Sequence, residues 1–209
     1  TTVTATPRDG YTFFGDQSVS YDFSYEGMPI PATIPSLTGQ FARSEGTWTA
    51  TQDVTVVRPD TFASSAQLLV DELNAYTNGD SVTGATNGTG IEIVIDDTHK
   101  ESLGEEGYTL SIQPAGVTIT AATARGAFWG TRTLSQMLRQ SLTLPAGSVT
   151  DTPTYKERGV TLCACQINFS TEWIERFLNE MADLKLNSIL MEMKLKSDAY
   201  PAANTFSYY

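Results

Sequence analysis

Two glycines set four residues apart in an otherwise good helix constrain this chain more than any other feature. Between Gly126 and Gln140, the residues Ala127, Phe128, Leu134, Met137 and Leu138 recur at helical spacing and define one apolar face. Gly126 and Gly130 fall on one side of that helix, where each costs roughly 1 kcal/mol of helix stability against alanine. The usual reason to keep such glycines is a close backbone approach, so the helix is expected to pack tightly on something flat, a sheet. After it, Pro145, Gly147, Asp151 and Pro153 punctuate a connection. An apolar run then begins at Val160, and a new structural unit is expected to start near Tyr155.

The 209 residues suffice for one good core and part of a second, since a domain takes ~100 to 200 residues. An apolar fraction of 40% with 10% aromatics excludes wholesale disorder. No apolar run approaches the ~20 residues that cross a bilayer, and no signal-peptide pattern opens the chain. It begins inside a β-like Thr-Val-Thr-Ala-Thr pattern and reads as a piece of something longer. A net charge of -11 argues against nucleic acid as a partner, which needs a basic footprint, and suits neutral sugars better.

Residues 1–28 alternate around a turn-like Arg8-Asp9-Gly10 and read either as the end of a β-rich surface-type module or as a leader with one hairpin. Pro29, Pro31 and Pro35 make residues 29–35 a semi-rigid linker. Residues 36–152 are the expected first domain. A strand is predicted over 48–57, then a helix capped by Asp60 with Phe62, Ala66, Leu69, Val70, Leu73 and Tyr76 on its apolar stripe. Asn78-Gly79 ends that helix. Ile91, Ile93 and Ile95 mark an alternating strand, and 108–113 and 117–121 make two more about Pro114-Ala115-Gly116. With the closing helix over 123–140, the expectation is an α+β domain, a sheet covered by two helices on one face. Residues 153–209 change to a parallel α/β pattern. A strand over 160–167, a helix capped by Ser170 and a second strand over 187–195 match the first βαβ unit of a (β/α)8 barrel. A whole barrel takes ~250 residues, so this one is truncated.

In order, the chain carries Glu105-Glu106-Gly107-Tyr108-Thr109-Leu110-Ser111-Ile112, Val117-Thr118-Ile119, Gly126-Ala127-Phe128-Trp129-Gly130 with Thr133-Leu134-Ser135-Gln136, Asp151-Thr152-Pro153, and Arg158-Gly159. This series resembles the junction between the small N-terminal domain and the barrel of family 20 glycoside hydrolases, the β-N-acetylhexosaminidase group. The resemblance runs from about Ile30 to Tyr209. It implies a retaining, substrate-assisted glycosidase: the substrate's 2-acetamido oxygen attacks the anomeric carbon, one carboxylate orients that group, and a neighbouring carboxylic acid protonates the leaving oxygen. The family carries this Asp-Glu pair after its fourth barrel strand, whereas only two such strands are legible here. No catalytic residue is therefore assigned, and the chain alone is expected to be inactive.

Arg158 is the one position the resemblance carries over, as a ligand of hydroxyls on the terminal amino sugar. A guanidinium suits that task, presenting several planar donors without losing its charge. The competing reading pairs Arg158 with Asp151 or Glu157 at the domain junction. The resemblance further implies an N-acetylhexosamine-containing glycan as partner. No cofactor or metal is expected, and the Thr-, Ser-, Asn- and Gly-rich composition with the surface-type pattern of residues 1–28 leads to the expectation of a bacterial extracellular or cell-surface setting, Gram-positive in type. An uncovered barrel edge is expected to let the piece self-associate.

Beyond Arg158 the chain departs from the usual family pattern. Cys163, Gln166 and Ile167 stand where an aspartate, an arginine and a histidine are usual, and 190–196 lacks the common His-rich run. These departures point away from ordinary hexosaminidase specificity, toward a branch acting on a disaccharide unit like the lacto-N-biosidases. Cys163 and Cys165 share one strand face, where a bridge between them would be strained, and they are expected to be reduced. They fit neither a nucleophile nor a metal site, lacking a nearby histidine or further cysteines. Glu192, Lys194 and Lys196 share a strand face and either line a polar lumen or form a solvated salt-bridge face. His99 and the cluster Asp97, Glu101, Glu105 and Glu106 read as a solvated turn. A non-catalytic sugar-binding or adhesion module is the alternative class, and another glycosidase family sharing the same small domain is a third reading; Trp48 and Trp129 in core-like patterns, and Trp173 on a buried helix stripe, weigh against the module, and the residues after Arg158-Gly159 fit the other families less well.

Overall fold

The computed structural model describes residues 2–5, 19–22, 28–80, 82–83, 90–164, 169–194 and 207–208. Near the start, β1 (Thr2–Ala5) and β2 (Val19–Asp22) pair antiparallel. The main body is a seven-stranded mixed sheet built from β3 (Ala42–Thr49), β4 (Thr55–Val57), β5 (Val82–Thr83), β6 (Ile91–Ile95), β7 (Tyr108–Gln113), β8 (Gly116–Ala121) and β9 (Thr143–Asp151). Its spatial order is β3-β9-β7-β8-β6-β4-β5. Strict alternation in β7 and β8 buries Tyr108, Leu110 and Ile112 with Val117, Ile119 and Ala121 on one face, leaving Thr109, Ser111, Thr118 and Thr120 on the other.

Helix α1 (Ala63–Thr77) and helix α3 (Ala124–Gln140) join these residues in one core; the four-residue α2 (Lys100–Leu103) precedes β7. The predicted stripe of α1 holds, with Ala66, Leu69, Val70 and Leu73 buried and Tyr76 half-buried, and Asn78 ends it in the left-handed conformation. Helix α3 meets the expectation raised by its glycines. A Cβ at Gly130 would stand 2.5 Å from Ile119 Cγ2 and 3.1 Å from the Tyr108 ring, and one at Gly126 would collide with the carbonyl oxygen of Gly107. Thr123 caps the helix, accepting from the Gly126 amide at 3.1 Å.

Several expectations are corrected. The single strand over 48–57 is two strands, β3 and β4, set far apart in the sheet. Between them the Thr51 hydroxyl donates to Asp53 at 2.9 Å in a turn. Asp60 does not cap a helix; it opens a short 3-10 turn and pairs with Arg58 at 2.9 Å. The supposed connection containing Pro145, Gly147 and Asp151 is the nine-residue strand β9, between β3 and β7. Pro145 is tolerated because β7 pairs only with the stretch from Gly147 to Asp151, and Pro145 faces β3 alone. The Pro-rich stretch is anchored to α3: Gln136 exchanges hydrogen bonds with the backbone of Ile34, and Gln140 donates to the Ala32 carbonyl.

The remaining unit is β10 (Gly159–Ala164), α4 (Thr171–Asp183) and β11 (Ser188–Lys194), with β10 and β11 parallel and β12 (Ser207–Tyr208) antiparallel to β11. Ser170 caps α4 as expected, accepting from the Trp173 amide at 3.2 Å. Its apolar stripe is only partly covered, with Met181 buried while Leu178 and Leu184 stay exposed. Among the described residues no helix is long and apolar enough to cross a membrane.

Candidate functional site

The titratable groups buried outside the helix pair converge where the seven-stranded sheet meets the β10–α4–β11 unit. Glu106 leads into β7, Tyr108 opens it, and Asp151 ends the neighbouring β9, so strand pairing brings Tyr108 opposite Asp151. Facing them are Arg158, just before β10, and Lys185 and Asn187, just before β11. Lys185 is 5% exposed, Asp151 7% and Glu106 8%.

Lys185 donates from Nζ to Asp151 Oδ2 and to the Tyr108 hydroxyl, both at 2.8 Å. Tyr108 donates to the same carboxylate oxygen at 2.7 Å and lies 2.5 Å from the Thr133 hydroxyl of α3. The other Asp151 oxygen accepts from the amide and hydroxyl of Thr38 at 2.9 and 2.8 Å. Beside this group, Arg158 Nη1 donates to Glu106 at 2.8 Å and to the Tyr155 carbonyl at 2.7 Å, and its Nε donates to the Lys185 carbonyl at 2.8 Å. Its guanidinium carbon stands 5.7 Å from the centre of the Trp129 ring. Asn187 donates to the second Glu106 oxygen at 3.1 Å. A cavity of about 230 Å3 opens beside them, between Pro35, Trp129, Pro153 and Tyr155.

Electrostatics follow from this packing. Burial raises Asp151, but the charge and hydrogen bonds of Lys185, Thr38 and Tyr108 outweigh it and hold the carboxyl below its usual range. Glu106 is held low in the same way, burial being overcome by Arg158 and Asn187. Burial pulls the Lys185 ammonium down, opposed by Asp151. Burial, then the Asp151 charge, push the Tyr108 hydroxyl far up, so it stays a neutral donor.

Arg158 therefore sits at the junction, at the N-terminal end of its strand, with Nε and Nη1 bonded to protein acceptors and the side chain on the wall of the cavity. The ion pair of the competing reading forms, although its partner is Glu106 and not Asp151 or Glu157. Glu106, expected in a solvated acidic turn, is corrected to a buried ion-pair partner; Glu105 does stay exposed, paired with Lys100 at 2.7 Å. His99 lies exposed in the 3-10 turn Asp97–His99. Lys185 was invisible to sequence reasoning. Its only signal is a lone cation between Leu184 and Leu186 just ahead of an apolar strand.

A second feature is the open face of the two parallel strands. Ile189 lines one pocket with Leu178 and Met181 of α4, so alternation turns Leu190 and Glu192 the other way, beside their register partners Thr161 and Cys163. Cys163 is disulfide-bonded, which corrects the expected reduced thiol. Cys165, Gln166, Ile167 and Lys196 lie outside the described residues, as does the side chain of Lys194. Among the described residues, no three His, Cys, Asp or Glu side chains gather as a metal site.

The family description "Glycosyl hydrolase family 20, domain 2" matches residues 30–152. The chain belongs to glycosyl hydrolase family 20. It is 50% identical over 184 residues to the lacto-N-biosidase of Bifidobacterium bifidum, a match covering 86% of this chain and 16% of that protein. It is 28% identical over 189 residues to a beta-hexosaminidase of Porphyromonas gingivalis, covering 82% and 23% of the two. The chain thus spans less than a quarter of either curated relative. Among solved structures, the Streptomyces plicatus N-acetyl-beta-hexosaminidase in complex with Thio-NAglucal superposes with a TM-score of 0.73 at 24% identity, over 88% of this chain and 40% of that one. The Streptomyces coelicolor A3(2) beta-N-acetylhexosaminidase gives 0.71 at 25% identity, over 83% and 38%. The family 20 domain closes with β9, so Arg158, Lys185 and Asn187 are contributed from beyond it.

Proposed function

We propose that this chain is the small domain and the first βαβ unit of the barrel of a retaining, substrate-assisted glycosidase that releases an N-acetylhexosamine-ended disaccharide from glycans, outside the cell or at its surface. The 50% identity to a lacto-N-biosidase carries this reading. The departures at Cys163, Gln166 and Ile167 from the usual hexosaminidase pattern agree with it. The reaction needs an acetamido-orienting carboxylate and an acid on the leaving oxygen. In this reading both lie after the fourth barrel strand, while β10 and β11 supply the first two. The open face of Thr161, Cys163, Leu190 and Glu192 becomes lumen wall, and Arg158 holds the junction.

The test compares the 209-residue chain with its polypeptide extended through a whole barrel, on chromogenic lacto-N-bioside and N-acetylglucosaminide. The chain alone should be inert and the extended protein should cleave the disaccharide glycoside with retention. Turnover by the chain alone, or an extended protein that prefers the monosaccharide, overturns the reading. The exposed Leu178, Leu184 and Leu190 also make self-association expected, seen in sedimentation as species above 22.7 kDa.

A further inference from the structure

The polar contacts of the junction share one geometric property. Arg158 precedes β10, Asp183 ends α4, and Lys185 and Asn187 precede β11, so every residue that receives a contact lies at the same end of the βαβ unit. On the small-domain side the partners come from four separate places. Glu106 takes Arg158 and Asn187; Asp151 and Tyr108 take Lys185. From α3, Arg139 reaches Asp183 at 2.6 Å, Arg132 reaches it at 3.6 Å, and Gln136 donates to its carbonyl at 2.6 Å. In a (β/α)8 barrel the N-terminal ends of strands and the C-terminal ends of helices share the face away from the chemistry, the face whose residues serve stability.

We propose that the small domain acts as a base plate that positions the first two barrel strands through these side chains, with Glu106 and Lys185 as positioning residues. The proposal rests on reading β10–α4–β11 as the opening of a barrel. The polar groups are spent on one another: Asp151 accepts from Thr38, Tyr108 and Lys185, and Arg158 is held by Glu106 and two carbonyls. That is what a fixed joint needs. The charges are also well matched across the joint. Burial of any one of them without its partner would be costly, so the unit cannot shift by a residue or tilt away without exposing or orphaning several at once. The apolar contribution is thin by comparison, since α4 leaves Leu178 and Leu184 exposed and buries only Met181 fully. Orientation of the strands is thus held by directional polar contacts more than by packing.

Hydrogen exchange on the full chain tests this without any sugar, so its failure and that of the glycosidase reading are separable. Glu106→Gln removes a charge on the small-domain side and touches neither strand. Amides of 159–164 and 188–192 should exchange at least tenfold faster, while those of 108–121 stay within twofold of the unchanged chain and report that the domain is still folded. Lys185→Met should give the same selective loss from the other side of the joint. Equal acceleration in 108–121 would mark a general loss of stability and overturn the proposal. So would unaltered protection of both strands in both variants.

Discussion

Replacing Gly126 with alanine sets two physical effects against each other, and the structure decides the sign. Helix propensity alone favours the change by up to ~1 kcal/mol, because glycine is the poorer helix former. The added Cβ, however, would fall on the carbonyl oxygen of Gly107 and within 3.2 Å of Ala121 Cβ. A backbone oxygen at the start of a central strand cannot move aside as a side-chain tip can, so the cost belongs in the upper part of the roughly 1–3 kcal/mol typical of overpacking. Gly126→Ala should therefore lose about 1–2 kcal/mol net. With an m-value of about 2 kcal/mol/M, the urea midpoint should fall by roughly 0.5–1 M at unchanged slope. Displacing Gly107 also disturbs the adjacent Glu106, so the Arg158 ion pair should loosen in the same variant. Gly130→Ala is the comparison, since its new contacts, Ile119 Cγ2 at 2.5 Å and the Tyr108 ring at 3.1 Å, are side-chain atoms. A Gly126→Ala chain as stable as the original, or more so, would refute the close-approach argument.

Two further outcomes follow from the same contacts. Thr123 accepts from the Gly126 amide at 3.1 Å and donates to the Glu105 carbonyl at 2.6 Å, so Thr123→Ala should cost about 1 kcal/mol in urea unfolding and Thr123→Ser should recover most of it. Asp151 and Glu106 are both held below their ordinary values in the folded chain, so each contributes stability that is complete above the unfolded-state value near 4 and is lost as pH falls through the folded one. Stability should decline progressively from about pH 5 downward at constant ionic strength, and less steeply in Glu106→Gln; a flat acid limb would show that the pairs contribute nothing.

Periodicity made most of the small domain readable without coordinates. The stripe of α1, the alternation of β6 and the paired strands β7 and β8 each obey a local rule that tertiary contacts only reinforce, because the same residues that carry the pattern supply the core. Gly126 and Gly130 even announced what they would touch. Where local signals conflicted with pairing, sequence reasoning failed. Proline and glycine in β9 read as punctuation, yet a nine-residue strand forms there because neighbours on both sides satisfy its backbone where Pro145 allows. The order of strands, which sets β3 beside β9 and β4 beyond β6, likewise depends on long-range pairing that no short window contains.

The family could be named from the sequence because its motifs are local and keep their order along the chain. The meeting of Glu106 with Arg158 and of Asp151 with Lys185 could not. Those residues lie 52 and 34 positions apart and share no spacing rule. A charged residue in an acidic turn and a lone lysine between leucines look like solvated positions until the fold removes water from them. Only the packing of one unit against the other makes their charges partners, since the penalty of burying each alone is what forces the pairing.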